Sequence, residues 1–155
     1  LNTIILPLFV IWLMKRMQLI KSFSLHTKQD RLLSFLITGM FYMSTWYIFQ
    51  ELNLIPLLNL ILLMSAILVL MASFISAFWK ISIHSISIGA VSAAVLYLTI
   101  NFYISGPWLL YFVVFLSGLV GFARLKLNAH SPKQVYVGYF MGFMVLSFFM
   151  WVKGF

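Results

Sequence analysis

Four stretches of this chain run without a single Asp, Glu, Lys or Arg, at residues 32 to 50, 52 to 79, 81 to 123 and 134 to 152. A helix that crosses the hydrocarbon core of a bilayer needs roughly 20 consecutive apolar residues, and each of these runs supplies about that many or more. The run from 81 to 123 suffices for two helices, and the turn signal between Asn101 and Pro107, with Gly106 inside it, divides it into a pair. Leu1 to Met14 is apolar but short for a span; opening on Leu rather than Met, it reads as the remnant of a truncated first helix. The expected architecture is an all-α integral membrane bundle of about six transmembrane helices, near 1 to 14, 32 to 50, 54 to 78, 85 to 101, 107 to 123 and 133 to 152. These form one transmembrane domain over residues 1 to 155.

Composition agrees with a bilayer as the solvent. Of 155 residues, 64% are apolar and only 8% are charged, too little polar surface to coat a water-soluble globule. No segment reads as a removable signal peptide, since the front apolar stretch lacks preceding basic residues and a small-residue cleavage site. With no cysteine, this chain makes no disulfide, thiolate nucleophile, thiolate zinc site or iron–sulfur ligand. Three His and two acids are a poor basis for a metal site, so neither metal nor cofactor is expected.

Sidedness follows from counting spans, because each helix carries the chain across once. One face receives the loops 15 to 31, 79 to 84 and 124 to 132 with their flanks. It holds Lys15, Arg16, Lys21, Lys28, Arg31, Lys80, Arg124, Lys126 and Lys133, nine of the ten basic residues, against Asp30 alone. The excess of basic residues favours a cytoplasmic position for this face. A phosphate site would concentrate Lys and Arg in the same way. The net charge of +8 sits beside spans rather than on a soluble surface, which points away from nucleic acid and toward anionic lipid headgroups.

Two polar clusters fall on the basic face. One is Lys80-Ile81-Ser82-Ile83-His84-Ser85, before the fourth helix; the other runs from Ala123 through Arg124, Lys126, Asn128, His130, Ser131, Pro132 and Lys133 to Gln134. Two His and two Arg on one side of a bundle suit phosphoryl transfer better than acyl or glycosyl transfer, which need a nucleophile triad or paired carboxylates. Arginine clamps phosphate oxygens bidentately. One imidazole can attack phosphorus while another protonates the leaving oxygen. Ser131, Pro132 and Gln134 read as N-cap, N1 and N3 of a capping box, which places His130 beside a helix N-terminus whose free N–H groups attract anions. His84 also reads as an interfacial residue bonded to the backbone, and His26 as a solvated loop residue. Gly138 and Gly142 form a Gly-x-x-x-Gly pair suited to close helix packing, and the five Trp fall near span ends, as interfacial anchors do.

In order and placement these clusters resemble the motifs of the type 2 phosphatidic acid phosphatase (PAP2) membrane family. The third motif of that family is Ser-Arg, five residues, His, three residues, Asp; here Arg124 and His130 match, with Ala123 in the Ser place and Gln134 in the Asp place. The second, Pro-Ser-Gly-His, is matched by Ser82 and His84, with Ile81 and Ile83 departing. In the first, Lys, six residues, Arg-Pro, Arg31 matches while Ser24 and Leu32 depart. The resemblance covers residues 24 to 145 loosely. Two extra spans between Arg31 and Ser82 depart from the usual layout and preserve sidedness.

The resemblance implies His130 as nucleophile, His84 as general acid, and Arg124 with Arg31 as phosphate clamp. Ser82 would donate to a phosphate oxygen, Gln134 would support His130, and Lys80, Lys126 or Lys28 would substitute for the missing motif lysine. It implies a lipid phosphate or pyrophosphate substrate hydrolysed without metal through a phosphohistidine. An amide at Gln134 stabilises imidazolium less than a carboxylate does. Replacing the orienting Asp of a serine protease triad by Asn costs roughly 10⁴-fold. A non-catalytic subunit of a membrane complex, keeping the fold with a decayed site, therefore stays open beside the enzyme. A small transporter fits less well, because no acid lies mid-span. The expected location is a bacterial inner membrane, with membrane lipids and other membrane proteins as partners.

Overall fold

A computed structural model describes residues 3–20, 27–52, 56–102 and 107–153. Ser24, His26 and Lys21 lie outside the described residues, as does most of the turn before Pro107. Six helices follow one another: α1 (Ile5–Arg16), α2 (Lys28–Glu51), α3 (Pro56–Phe78), α4 (Ile83–Phe102), α5 (Trp108–Lys126) and α6 (Pro132–Lys153). Helices are what a bilayer demands, because unpaired backbone N–H and C=O groups have no water to turn to there. Helices α2 to α6 are long and apolar enough to cross a membrane. The chain is thus helical and multi-pass, with five span-length helices among the described residues rather than about six. The 12 residues of α1 rise only about 18 Å, short of the ~30 Å hydrocarbon core.

Helices α2, α5 and α6 extend beyond the charge-free runs that mark the spans, because a helix ends where its backbone is capped and not where its charge begins. Helix α2 starts four residues before the expected position, since Thr27 Oγ1 accepts the Asp30 N–H at 3.0 Å. Arg31 is consequently a buried residue of the first turn of α2 and not a loop residue. At the end of α1, Gln18 takes a positive φ of 59° and its N–H bonds the Lys15 carbonyl while Leu19 N–H bonds that of Met14. These two bonds are a Schellman termination.

The chain forms two compact units, Leu1–Lys80 and Ile81–Phe155. In the first, α2 and α3 are an antiparallel hairpin. Ser73 Oγ donates to the Leu32 carbonyl across it at 2.9 Å, and a Cβ at Gly39 would lie 2.6 Å from Leu70 Cδ2.

In the second unit α4 and α6 run parallel. A Cβ at Gly138 would lie 2.9 Å from the Ser82 carbonyl, while one at Gly142 would overlap the Ile86 carbonyl and one at Gly89 the Tyr139 carbonyl. Small residues of this kind let two backbones touch where lipid supplies no hydrophobic drive for association. Helix α5 runs antiparallel to both, packing on α4 through Ser92 and Ser117, whose hydroxyls are 3.1 Å apart. Each of these hydroxyls also reaches the carbonyl four residues back, at 2.8 Å. Such back-bonding satisfies a hydroxyl that would otherwise be unpaired in hydrocarbon.

Replacing Gly142 by Val should lower stability by at least roughly 1–3 kcal/mol, the cost of overpacking, because the obstructing atom is backbone and cannot rotate away. Gly118, where a Cβ would meet nothing within 4 Å, should accept Ala with no loss and up to about 1 kcal/mol of gain from helix propensity. Reversible unfolding of the two variants in detergent measures both.

Candidate functional site

The parallel pair α4 and α6 brings two helix starts to one end of the second unit, and antiparallel α5 brings its own end there. Three sequence-predicted residues meet this end of the unit in consequence: His84 in the first turn of α4, Arg124 in the last turn of α5, and His130 two residues before α6.

The path from Arg124 to His130 is set by Asn128, which adopts φ 49°. Its N–H bonds the Leu125 carbonyl and the Ala129 N–H bonds the Arg124 carbonyl, at 3.0 and 3.1 Å, the Schellman pattern again. Asn tolerates the left-handed region better than residues with bulky β-carbons do. The chain therefore leaves α5 abruptly and presents Ala129, His130 and Ser131 in sequence before Pro132 starts the next helix.

At that start the Gln134 side chain turns back. Its Oε1 accepts the Ser131 N–H at 3.1 Å and lies 3.1 Å from His130 Nδ1. The return of the N3 side chain to the N-cap N–H is the reciprocal half of a capping box. This geometry fixes more than the helix. Because Ser131 N–H is always a donor, the atom facing it must be the amide oxygen, and an oxygen facing Nδ1 requires that nitrogen to carry a proton. His130 is therefore held as the Nδ1–H tautomer when neutral, with the lone pair on Nε2.

At the head of α4, Ser82 is the N-cap. Its Oγ accepts the Ser85 N–H at 3.3 Å and the Ser85 hydroxyl at 2.9 Å. Ser82 and Ser85 are both almost fully buried. The serine expected to touch phosphate is thus engaged in holding the helix start. His84 is exposed on the same turn and edges a cavity of about 350 Å³ with Ser87, Val91 and Val120. Arg124 lies near enough for its guanidinium charge to act on the His84 ring, and its own Nε is buried with no hydrogen-bond partner among the described residues.

Arg31 and Lys80 belong to the first unit. Arg31 is buried beside an equally buried Asp30 in the sequence, and both take part in polar or electrostatic contacts; Lys80 is half-buried. Among the described residues no three His, Asp or Glu side chains gather as a metal site. Asn128 and Ser85 fall within the two polar clusters of the sequence, where neither has a role of its own. Asn just beyond a helix ending in Lys-Leu is a recognisable stop signal, and a second serine three residues after Ser82 is the spacing at which a cap and its donor meet.

No family model, curated protein or solved structure matches this chain. Fold and span-length helices define it as a multi-pass helical membrane protein.

Gln134→Ala should leave His130 without its fixed acceptor and let both neutral tautomers be populated. Gln134→Glu should keep the Nδ1–H tautomer and raise the midpoint of His130 titration relative to the unsubstituted chain, because a carboxylate favours the charged ring. Imidazole ¹⁵N shifts across a pH series distinguish the two outcomes.

Proposed function

We propose that the chain is a divergent PAP2-type protein of a bacterial inner membrane that hydrolyses a lipid phosphate or pyrophosphate, with its site on the cytoplasmic side. The observation that carries this reading is the hydrogen bond from His130 to Gln134, since it leaves the lone pair on Nε2, the ring nitrogen then available as an in-line nucleophile. In the first step Nε2 forms a bond to phosphorus as the bond to the leaving oxygen breaks, and His84 gives that oxygen a proton. Arg124 neutralises the charge on the remaining phosphate oxygens. Water then cleaves the phosphohistidine and returns a proton to His84. Gln134 orients the ring but supplies only a dipole where a carboxylate would supply a charge.

Two observations favour the second reading, a non-catalytic subunit of a membrane complex: Ser82 is buried and committed to Ser85, and Gln134 is neutral. Phosphate release from phosphatidate, phosphatidylglycerol phosphate and a polyprenyl pyrophosphate by the purified protein separates the readings. The phosphatase reading expects release that falls to background in His130→Ala and rises at least tenfold in Gln134→Asp. A folded protein that releases nothing, alone or as Gln134→Asp, assigns the chain to the second class.

A further inference from the structure

Helix α5 is the least enclosed of the second unit; Val113 is its buried residue. It lies against α4 along much of its length but approaches α6 chiefly near their connection, where a Cβ on Gly121 would touch Val135. The divergence opens a groove of about 460 Å³ whose α5 wall includes Val114, Gly118, Gly121 and Leu125 and whose α6 wall includes Tyr136 and Phe140. Its lining is overwhelmingly apolar.

The dimensions restrict what occupies it. From Val114 to Leu125 the groove runs about 16 Å along the helix, close to half of the ~30 Å hydrocarbon thickness and hence the depth of one leaflet. Over that length, a volume of about 460 Å³ is room for a single hydrocarbon chain.

Charge restricts the occupant further. The end of the groove at Leu125 is flanked by Arg124 and Lys126, with Lys133 on the first turn of α6. Lys126 Nζ sits 5.6 Å from the centre of the Phe122 ring, itself part of the lining. Residues 81 to 155 contain no Asp or Glu at all, so this unit has no anion of its own to set against these cations.

We propose that the groove between α5 and α6 holds one acyl chain of an anionic phospholipid, with the lipid phosphate at Lys126, Lys133 and Arg124. The site is a resident lipid-binding site that requires no turnover, so it stands or falls separately from chemistry at His130. Gly118 is its key residue, because the absent side chain is what leaves the groove open, and because a larger residue there projects into empty space and not into neighbouring atoms.

Native mass spectrometry of the full chain, released from micelles containing equal phosphatidylglycerol and phosphatidylcholine with identical acyl chains, tests this. The unsubstituted chain should retain phosphatidylglycerol at least fivefold over phosphatidylcholine. Gly118→Leu, with unchanged helicity and unfolding temperature, should lose at least fivefold of all retained lipid. Lys126→Gln with Lys133→Gln should keep lipid but bring the two headgroups to near parity. Equal retention of both lipids by the unsubstituted chain, full retention by Gly118→Leu, or a lipid-free dimer in place of the lipid-bound species would overturn the assignment.

Discussion

Helices α4 and α6 touch backbone to backbone. In hydrocarbon, two helices gain nothing by hiding apolar side chains from lipid that is equally apolar, so association relies on close van der Waals approach. Gly89 beneath the Tyr139 carbonyl and Gly142 beneath the Ile86 carbonyl permit that approach. The parallel sense of the pair is what matters for the site. It brings the start of α4, with Ser82 and His84, and the start of α6, with Ser131 and Gln134, to the same end of the unit. Because α5 must run back between them in sequence, its last turn delivers Arg124 there as well.

Polar groups in this setting are used twice. Gln134 caps α6 through the Ser131 N–H and fixes the proton of His130 with the same oxygen atom. Ser82 closes the first turn of α4 through both the N–H and the hydroxyl of Ser85. Hydroxyls within the spans, such as those of Thr38, Ser92 and Ser117, return to the carbonyl one turn back. The cations differ. A unit with Arg124, Lys126 and Lys133 at one end and no acidic residue leaves its positive charge to be met by an anion from outside, and a lipid phosphate is the anion that a bilayer supplies at that depth.

The polar end of the second unit and the groove below it lie at different radii from the helix starts. The proposed hydrolysis at His130 concerns the polar connection between α5 and α6 and the first turn of α4. Lipid retention concerns the apolar wedge below it, where Gly118 and Gly121 thin the wall of α5. Arg124 is common to both, which is why groove and chemistry are separated by substitutions at Gly118 and Lys133 that leave His130 and Gln134 in place.

Hydropathy along the chain determined the helical class and five of the spans, and the Ser131, Pro132, Gln134 pattern determined where α6 begins, since both depend on residues within a turn or two of one another. The Gly-x-x-x-Gly pair at Gly138 and Gly142 announced a close contact without naming its partner. The early start of α2 at Lys28 was hidden by its charges, because hydropathy marks where lipid begins while Thr27 decides where the helix does. Only the tertiary structure decided that Ser82 is buried, that Arg124 and His84 come to one end of the second unit, and that α5 diverges from α6 to open a groove. Those outcomes depend on how far apart two helices are held by side chains and glycines distant in sequence, a quantity that no local pattern of residues encodes.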